Sequence, residues 1–278
     1  MVKSTLNDKF KVLTTNDDDF LETRALLQDY DVSIDENTEK IADLNNPLPV
    51  YSETVKGLKL QESSFTLNPV SLLFFELIGS LDTGVITISN PLPSFDIEAQ
   101  VTSDEYTTIT NNKVETITIS GTTETPLDVS IDTVGLNNSK NTGNVQANPV
   151  STNTGVITWS DLGVVLDNNI VASAQSFTIT INLNIDNEPV LGQQQGFILV
   201  ESLRDVTFSI DFLADREFLD LQQNDDLFDV EITSNGQGSI LLQDSFVSSH
   251  DFTGDVEQTG ARTITINGDC LGDIQINT

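Results

Sequence analysis

His250 is the single histidine of the chain and Cys270 the single cysteine, and together they close most routes to catalysis. A zinc site with two imidazole ligands is excluded within one chain. A histidine-based triad would have to be built on His250, with no nucleophile motif to support it. Cys270 lies beside Asp269 with no cationic neighbour to lower its pKa, so it reads as a small buried or half-buried residue. The acidic runs Asp17-Asp18-Asp19 and Asp225-Asp226 could offer oxygen ligands to Ca²⁺, but neither has the ligand spacing of a Ca²⁺ loop, and solvated turns are the better reading. Gly236 and Gly238 in NGQGS look like a phosphate loop only superficially, because neither a helix start nor a lysine follows. No catalytic, cofactor-binding or metal-binding residue is assigned, and the chain is not read as an enzyme.

Charge narrows the partners. Asp and Glu number 43 against 12 Lys and Arg, a formal charge of −31. Phosphate binding takes clustered basic residues, and between positions 141 and 203 there are none, so nucleic acid is not a ligand of the outer surface. Such acidity serves solubility, or life in concentrated salt, where self-repulsion is screened within about 3 Å at 1 M. One cysteine rules out an internal disulfide. The amino terminus MVKSTLNDKFKVL lacks an apolar h-region and no apolar run approaches a membrane span, so synthesis in the cytoplasm without a membrane anchor is expected.

The elements that must carry any function are strands. Thr, Ser, Asn, Asp, Val and Ile dominate while helix formers are scarce. Phe95, Ile97, Ala99 and Val101 alternate with Asp96, Glu98 and Gln100; VETITIS follows an Asn111-Asn112 turn signal; Leu127, Val129 and Ile131 alternate with Asp128, Ser130 and Asp132. That is an antiparallel meander. Around it the sequence predicts an irregular polar segment over 1–50, with a short strand in LNDKFKVL and a brief helix from Phe20 to Asp29. A strand pair at the sheet edge is predicted over 54–67. An N-cap at Asn68, Pro69 at the first helical position and Gly79 at the end predict a buried α-helix. Residues 137–155 read as one long loop, an insertion in a domain spanning 51–278. Beyond it, Phe177 to Ile185 alternates as the longest clean strand, turned by Asp186 to Pro189, with Val206 to Phe212 as its partner. A short helix from Asp215 to Gln222, a strand from Phe228, a hairpin at Ser234-Asn235-Gly236 and strands over 240–246 and 263–267 complete the pattern.

The run KVETITISGTTETPLDVSIDTVG, followed in order by TWSDLGVVL, SAQSFTITINLNID and SLRDVTFSIDFLADREFLDL, resembles the tail tube proteins of long-tailed viruses of bacteria and archaea. The resemblance covers roughly positions 58 to 267. It implies an all-β, mainly antiparallel tail-tube-like sandwich or barrel with a short flanking α-helix, and a homo-oligomer, six subunits to a ring for a chain with one such domain. Rings would stack into a tube in the virion tail beside other tail proteins, with an amino-terminal arm reaching the next ring. DNA would pass through without specific binding. On that reading the polar faces of two strands are candidates for the channel lining: Thr178, Thr180, Asn182 and Asn184 on one, Thr207, Ser209 and Asp211 on the other. The same fold serves contractile injection and secretion tubes. An immunoglobulin-like adhesion module is the alternative from another class, against which stand the missing signal peptide and the buried helix.

Overall fold

A computed structural model of the chain describes residues 9–42, 51–146, 155–167, 169–170, 173–189, 197–213, 227–253 and 263–278. Its strands are β1 (Phe10–Leu13), β2 (Ala25–Ala42), β3 (Tyr51–Pro69), β4 (Gly79–Asp82), β5 (Val85–Ile88), β6 (Phe95–Thr102), β7 (Glu105–Thr122), β8 (Asp128–Gly135), β9 (Asn137–Thr142), β10 (Leu162–Leu166), β11 (Asn169–Ile170), β12 (Ala174–Asn182), β13 (Ile185–Pro189), β14 (Phe197–Glu201), β15 (Asp205–Leu213), β16 (Phe228–Ser234), β17 (Gly238–Thr253), β18 (Thr263–Cys270) and β19 (Ile274–Asn277). Every pairing is antiparallel, so the all-β expectation holds.

One wide layer runs β2-β3-β8-β7-β12-β15-β18-β17. Alternation makes it two-faced. Phe65, Ile117, Ile119, Ile131, Ile179, Ile210 and Phe212 are buried on one side, while the residues between them are polar. The apolar side is covered by β1, β6, β9 and the first part of β7 over one half, and by β10, β16, the first part of β17, β19, β5 and β4 over the other. Phe10 meets Phe65 at 5.2 Å between ring centroids, and Phe208 meets Phe228 edge-on at 6.2 Å. A single core results, in which each large apolar side chain contributes about 1.5–3 kcal/mol.

β7 and β17 belong to both layers, and each turns the corner at a residue with positive φ: Asn111 at 56° and Asp244 at 50°. Asn111-Asn112 is therefore a kink inside a long strand and not the expected turn, which falls instead at residues 103–104. The buried Asn112 side chain holds the kink by donating to Phe95 O at 3.2 Å and Ile109 O at 2.8 Å. Val101, one residue before the end of β6, is 64% exposed and does not share the buried face of Ile97 and Ala99.

Other expectations are corrected. Residues 68–79 are not an α-helix: Asn68 and Pro69 end β3, and a 3-10 helix of Leu72–Leu77 follows. Asn68 is occupied by the sheet, its amide donating to Leu127 O at 3.0 Å, and so does not cap. Gly79 opens β4, where a Cβ would lie 2.5 Å from Thr87 O; close approach, not a left-handed conformation, is what requires glycine there. Residues 54–67 form one strand rather than a pair, laddered to β2 along its length and interior from Gln61 to Leu67, where β8 pairs on the other side.

The predicted short strand near the amino terminus is β1, but Phe20 to Asp29 is a turn leading into β2 rather than a helix. Phe20, Leu21, Ala25 and Leu27 join the core. Arg24 ties this turn down through Asp17 at 2.7 Å and Glu76 at 2.8 Å, with its guanidinium 4.2 Å from the centre of the Phe20 ring. Residues 137–142, read as loop, are β9; the β7 ladder supplies the order that apolar burial does not. Asp186 to Pro189 belong to β13, paired with β14, rather than to a turn, and the long strand before them ends at Asn182. Lys113 pairs with Glu201 at the end of β14, and Glu201 also accepts from Leu92 N at 3.0 Å. The strands from Phe228 and Thr263 and the hairpin at Ser234 stand as expected, with β19 in addition. The helix expected over 215–222 lies outside the described residues.

Candidate functional surface

β12 and β15 pair in register, which sets Thr178 opposite Ser209 and Thr180 opposite Thr207. These four, with Asn182 and Asp211, lie half-buried on the side of the wide layer away from the core. Asn184 does not join them. It follows the end of β12 at φ 46°, and its amide donates to Leu203 O.

Neighbouring strands extend the face in rows. One row reads Thr66, Ser130, Thr118, Thr180, Thr207, Asp269 across β3, β8, β7, β12, β15 and β18. A second reads Ser64, Asp132, Thr116, Asn182, Asp205. On the other side lie Asp128, Ser120, Thr178, Ser209, Asn267, Ser249 and then Ser176, Asp211, Thr265, Asp251. No Lys or Arg occurs in these four rows; the next row on this face, Ser33, Glu62, Val134, Lys113, carries one lysine, which is paired with Glu201. The contributions of β3, β7, β8 and β18 escape a reading strand by strand, because the alternation shows that a face is polar but not which strands adjoin.

Side-chain hydrogen bonds stitch the face together. The Asp211 carboxylate accepts from Thr265 Oγ1 at 2.5 Å and from Ser176 Oγ, spanning three strands. Asn267 Nδ2 donates to Ser249 Oγ at 3.2 Å. Partial desolvation pushes the carboxyls of half-buried Asp128 and of Asp132, the more exposed of the two, above the usual range. At one end a cavity of about 250 Å³ is lined by Asp31, Glu62, Glu115 and Asp132 with serines and a threonine. Among the described residues no three or more His, Cys, Asp or Glu side chains converge as a metal ion requires.

The surface offers hydration and negative charge, not reactivity. His250 lies exposed on β17. The Cys270 thiol is pushed up by burial first and also by the negative charges of Asp244 and Asp273, and its Sγ lies 3.1 Å from Gln243 O. Asp17 is engaged by Arg24, and Asp225-Asp226 lies outside the described residues. Phosphates approaching the polar face would meet Asp, Thr, Ser and Asn without a cation to release counterions.

A family model described as phage tail tube protein matches residues 54–270. No curated protein matches the chain. Among solved structures, a chain from the virion of a native gene transfer agent particle is similar at 14% identity and a TM-score of 0.38, covering 44% of this chain and 98% of that one. A chain from the tail of an empty gene transfer agent particle, computed by helical refinement with C6 symmetry, is similar at 13% identity and a TM-score of 0.38 over the same shares.

Proposed function

The chain belongs to the phage tail tube protein family, and from that premise we infer how this structural subunit of a viral tail works. Copies associate edge to edge into rings of sixfold order, rings stack into a tube, and the genome passes along the bore. The polar face of the wide layer lines that bore, with Thr178, Thr180, Asn182, Thr207, Ser209 and Asp211 among the lining; Asn184 sits at its margin. The subunit is made in the host cytoplasm and ends in the virion tail beside other tail proteins.

The observation that carries the orientation is the set of four polar rows in which no Lys or Arg occurs; Lys113, one row further along the same face, is neutralised by Glu201. A basic wall would gain free energy from counterion release at every phosphate and hold the DNA; an acidic and hydroxyl-rich wall gives it nothing to bind. Of the first 50 residues, β1 and the turn from Phe20 to Leu27 belong to the core, and the far part of β2 serves contact between rings. The part of the β2–β3 hairpin beyond Gln61 is the candidate, because β8 pairs only with residues from Gln61 to Leu67 and the hairpin continues past it. No catalytic role is assigned. The adhesion-module and injection-tube alternatives have no observation in their favour.

Negative-stain microscopy of concentrated protein tests the reading, with rings or tubes expected. A gel-shift titration at physiological salt should find no DNA binding, and tight binding would overturn the assignment of the polar face to the bore.

A further inference from the structure

The chain follows one strand plan twice. In the first half β1 pairs with β6, β6 with β7, the first part of β7 with β9, its second part with β8, β8 with β3 and β3 with β2. In the second half β10 pairs with β16, β16 with β17, the first part of β17 with β19, its second part with β18, β18 with β15 and β15 with β12. The two series correspond strand for strand and in chain order. β4, β5, β11, β13 and β14 are additions.

The corner strands agree down to single atoms. Phe95-Asp96-Ile97-Glu98 and Phe228-Asp229-Val230-Glu231 begin β6 and β16 at positions 133 apart. Asp96 accepts from Asn111 N at 2.9 Å, and Asp229 from Asp244 N at 3.2 Å, each donor being the positive-φ residue of its kink. The next residue, Asn112 or Ser245, is fully buried and donates back to the carbonyl three positions earlier, Ile109 O at 2.8 Å or Leu242 O at 3.3 Å. The register shift falls at the same place, between Phe95 and Ile97 and between Phe228 and Val230.

Each unit gives four strands to the wide layer, ordered β2-β3-β8-β7 and β12-β15-β18-β17, and β7 joins β12 across the seam between them. The outer margins repeat the halves of that seam. Among the described residues, the second part of β17, counterpart of β7, has a ladder partner on one side only, β18; β2, counterpart of β12, has only β3. Because eight strands alternate in direction, the two margins run opposite ways, as an antiparallel pairing requires.

We propose that β17 of one copy pairs with β2 of the next in the register of β7 with β12, and that three chains, six units, close the ring. This rests on the ring reading above and refines its sixfold order to three subunits. Thr118 faces Thr180 at the internal seam; carrying that pair across the two equivalences sets Asp251 opposite Ser33 of the next copy.

Ring size decides between three chains and six. The row Tyr30, Phe65, Ile131, Ile117 continues at Ile181, whereas the matching row of the second unit starts at Phe177. The shift is four residues per four strands, the shear of a barrel whose strands tilt about 36°. Each chain gives eight strands to the wide layer, so three chains supply 3 × 8, or 24, and at about 4.8 Å between strands they close a barrel roughly 45 Å across. Six chains would double that to roughly 90 Å. A DNA duplex is about 20 Å wide. With side chains on the wall, only the smaller ring guides it closely.

The test is the double variant Ser33→Cys with Asp251→Cys in a Cys270→Ser background, oxidised and run under denaturing conditions, with each single variant as control. Facing residues of an antiparallel pair lie within disulfide reach. A ladder ending at three chains is expected, with wild-type rings near 91 kDa, three times 30.3 kDa. A ladder running to six, with rings of about twice that mass, would overturn the count and leave the ring reading standing. Rings without cross-links in the double variant would overturn the seam. Wild-type protein that never exceeds one chain would contradict the ring reading and this inference with it.

Discussion

Thr265 on β18 donates its hydroxyl hydrogen to Asp211 on β15 at 2.5 Å, and the other oxygen of that carboxylate accepts from Ser176 on β12. One charge thus fixes three strands at a row, Ser176, Asp211, Thr265, that has no apolar side chain to lock it. Hydrogen bonds to a charged group are worth about 1.5–3 kcal/mol when buried and less when half-exposed. Asp211→Ala is expected to lower stability by about 1–2 kcal/mol, and Asp211→Asn by less, since its amide oxygen still accepts one of the two hydroxyls. Urea unfolding of the unassembled protein measures both.

Asp128 and Asp132 set a pH dependence of the opposite sign to that of a salt-bridged carboxylate. Burial raises both pKa values above those of the unfolded chain. The folded state therefore binds more protons in the window just above the ordinary carboxylate pKa, and stability falls as pH rises through it. Asp132→Asn should be more stable than wild type at pH 7, with the advantage vanishing below the ordinary carboxylate range. Thermal unfolding at pH 7 and at pH 3 reads the difference, and a variant less stable at pH 7 would contradict the assignment.

The β7 corner is the place where small changes should do most damage. A Cβ on Gly135 would lie 2.3 Å from Ile109 Cγ2 and 2.5 Å from Asn112 Oδ1, both packed into the kink. Gly135→Ala is expected to cost about 1–3 kcal/mol by overpacking. Asn112→Ala should cost a similar amount, about 1–3 kcal/mol, by removing the buried hydrogen bonds to Phe95 O and Ile109 O.

Strands with an apolar face were legible in the sequence, because Phe177, Ile179 and Ile181, or Val206, Phe208 and Ile210, must alternate to reach the core. β9 was not legible: Asn137 to Thr142 has no apolar member, and its order comes from a partner more than 25 residues away in sequence. The Asn68-Pro69 pair carries helix-start chemistry yet spends it in β3, where tertiary pairing outweighs local preference. Asn111-Asn112 signals positive φ correctly, but positive φ serves a corner as well as a turn. The polar residues of the candidate surface could be named on two strands, and their neighbours only once pairing was known. The signal for the repeated plan lies in FDIE and FDVE, four residues each, too short to stand out without the strands around them.

Assembly should strengthen with salt. Three chains at −31 each bring 93 formal negative charges together, and screening must weaken that repulsion before apolar and edge contacts can hold. Light scattering across a salt series measures it, with ring formation favoured at high salt. Association favoured at low salt would mean that specific ion pairs dominate.

Limited proteolysis offers a separate check on the layout. Asn137 to Thr142 should resist the protease, because the backbone of β9 is held by the β7 ladder. Early cleavage between Asn137 and Thr142 would contradict the pairing.

The most direct test of the account is a helical reconstruction of the assembled tube at side-chain resolution. The account expects the rows through Thr180 and Thr207 to face the bore, with Asp and hydroxyl side chains around it and no ring of Lys or Arg. A tube in which that face points outward, or in which a ring of lysines lines the channel, would contradict it.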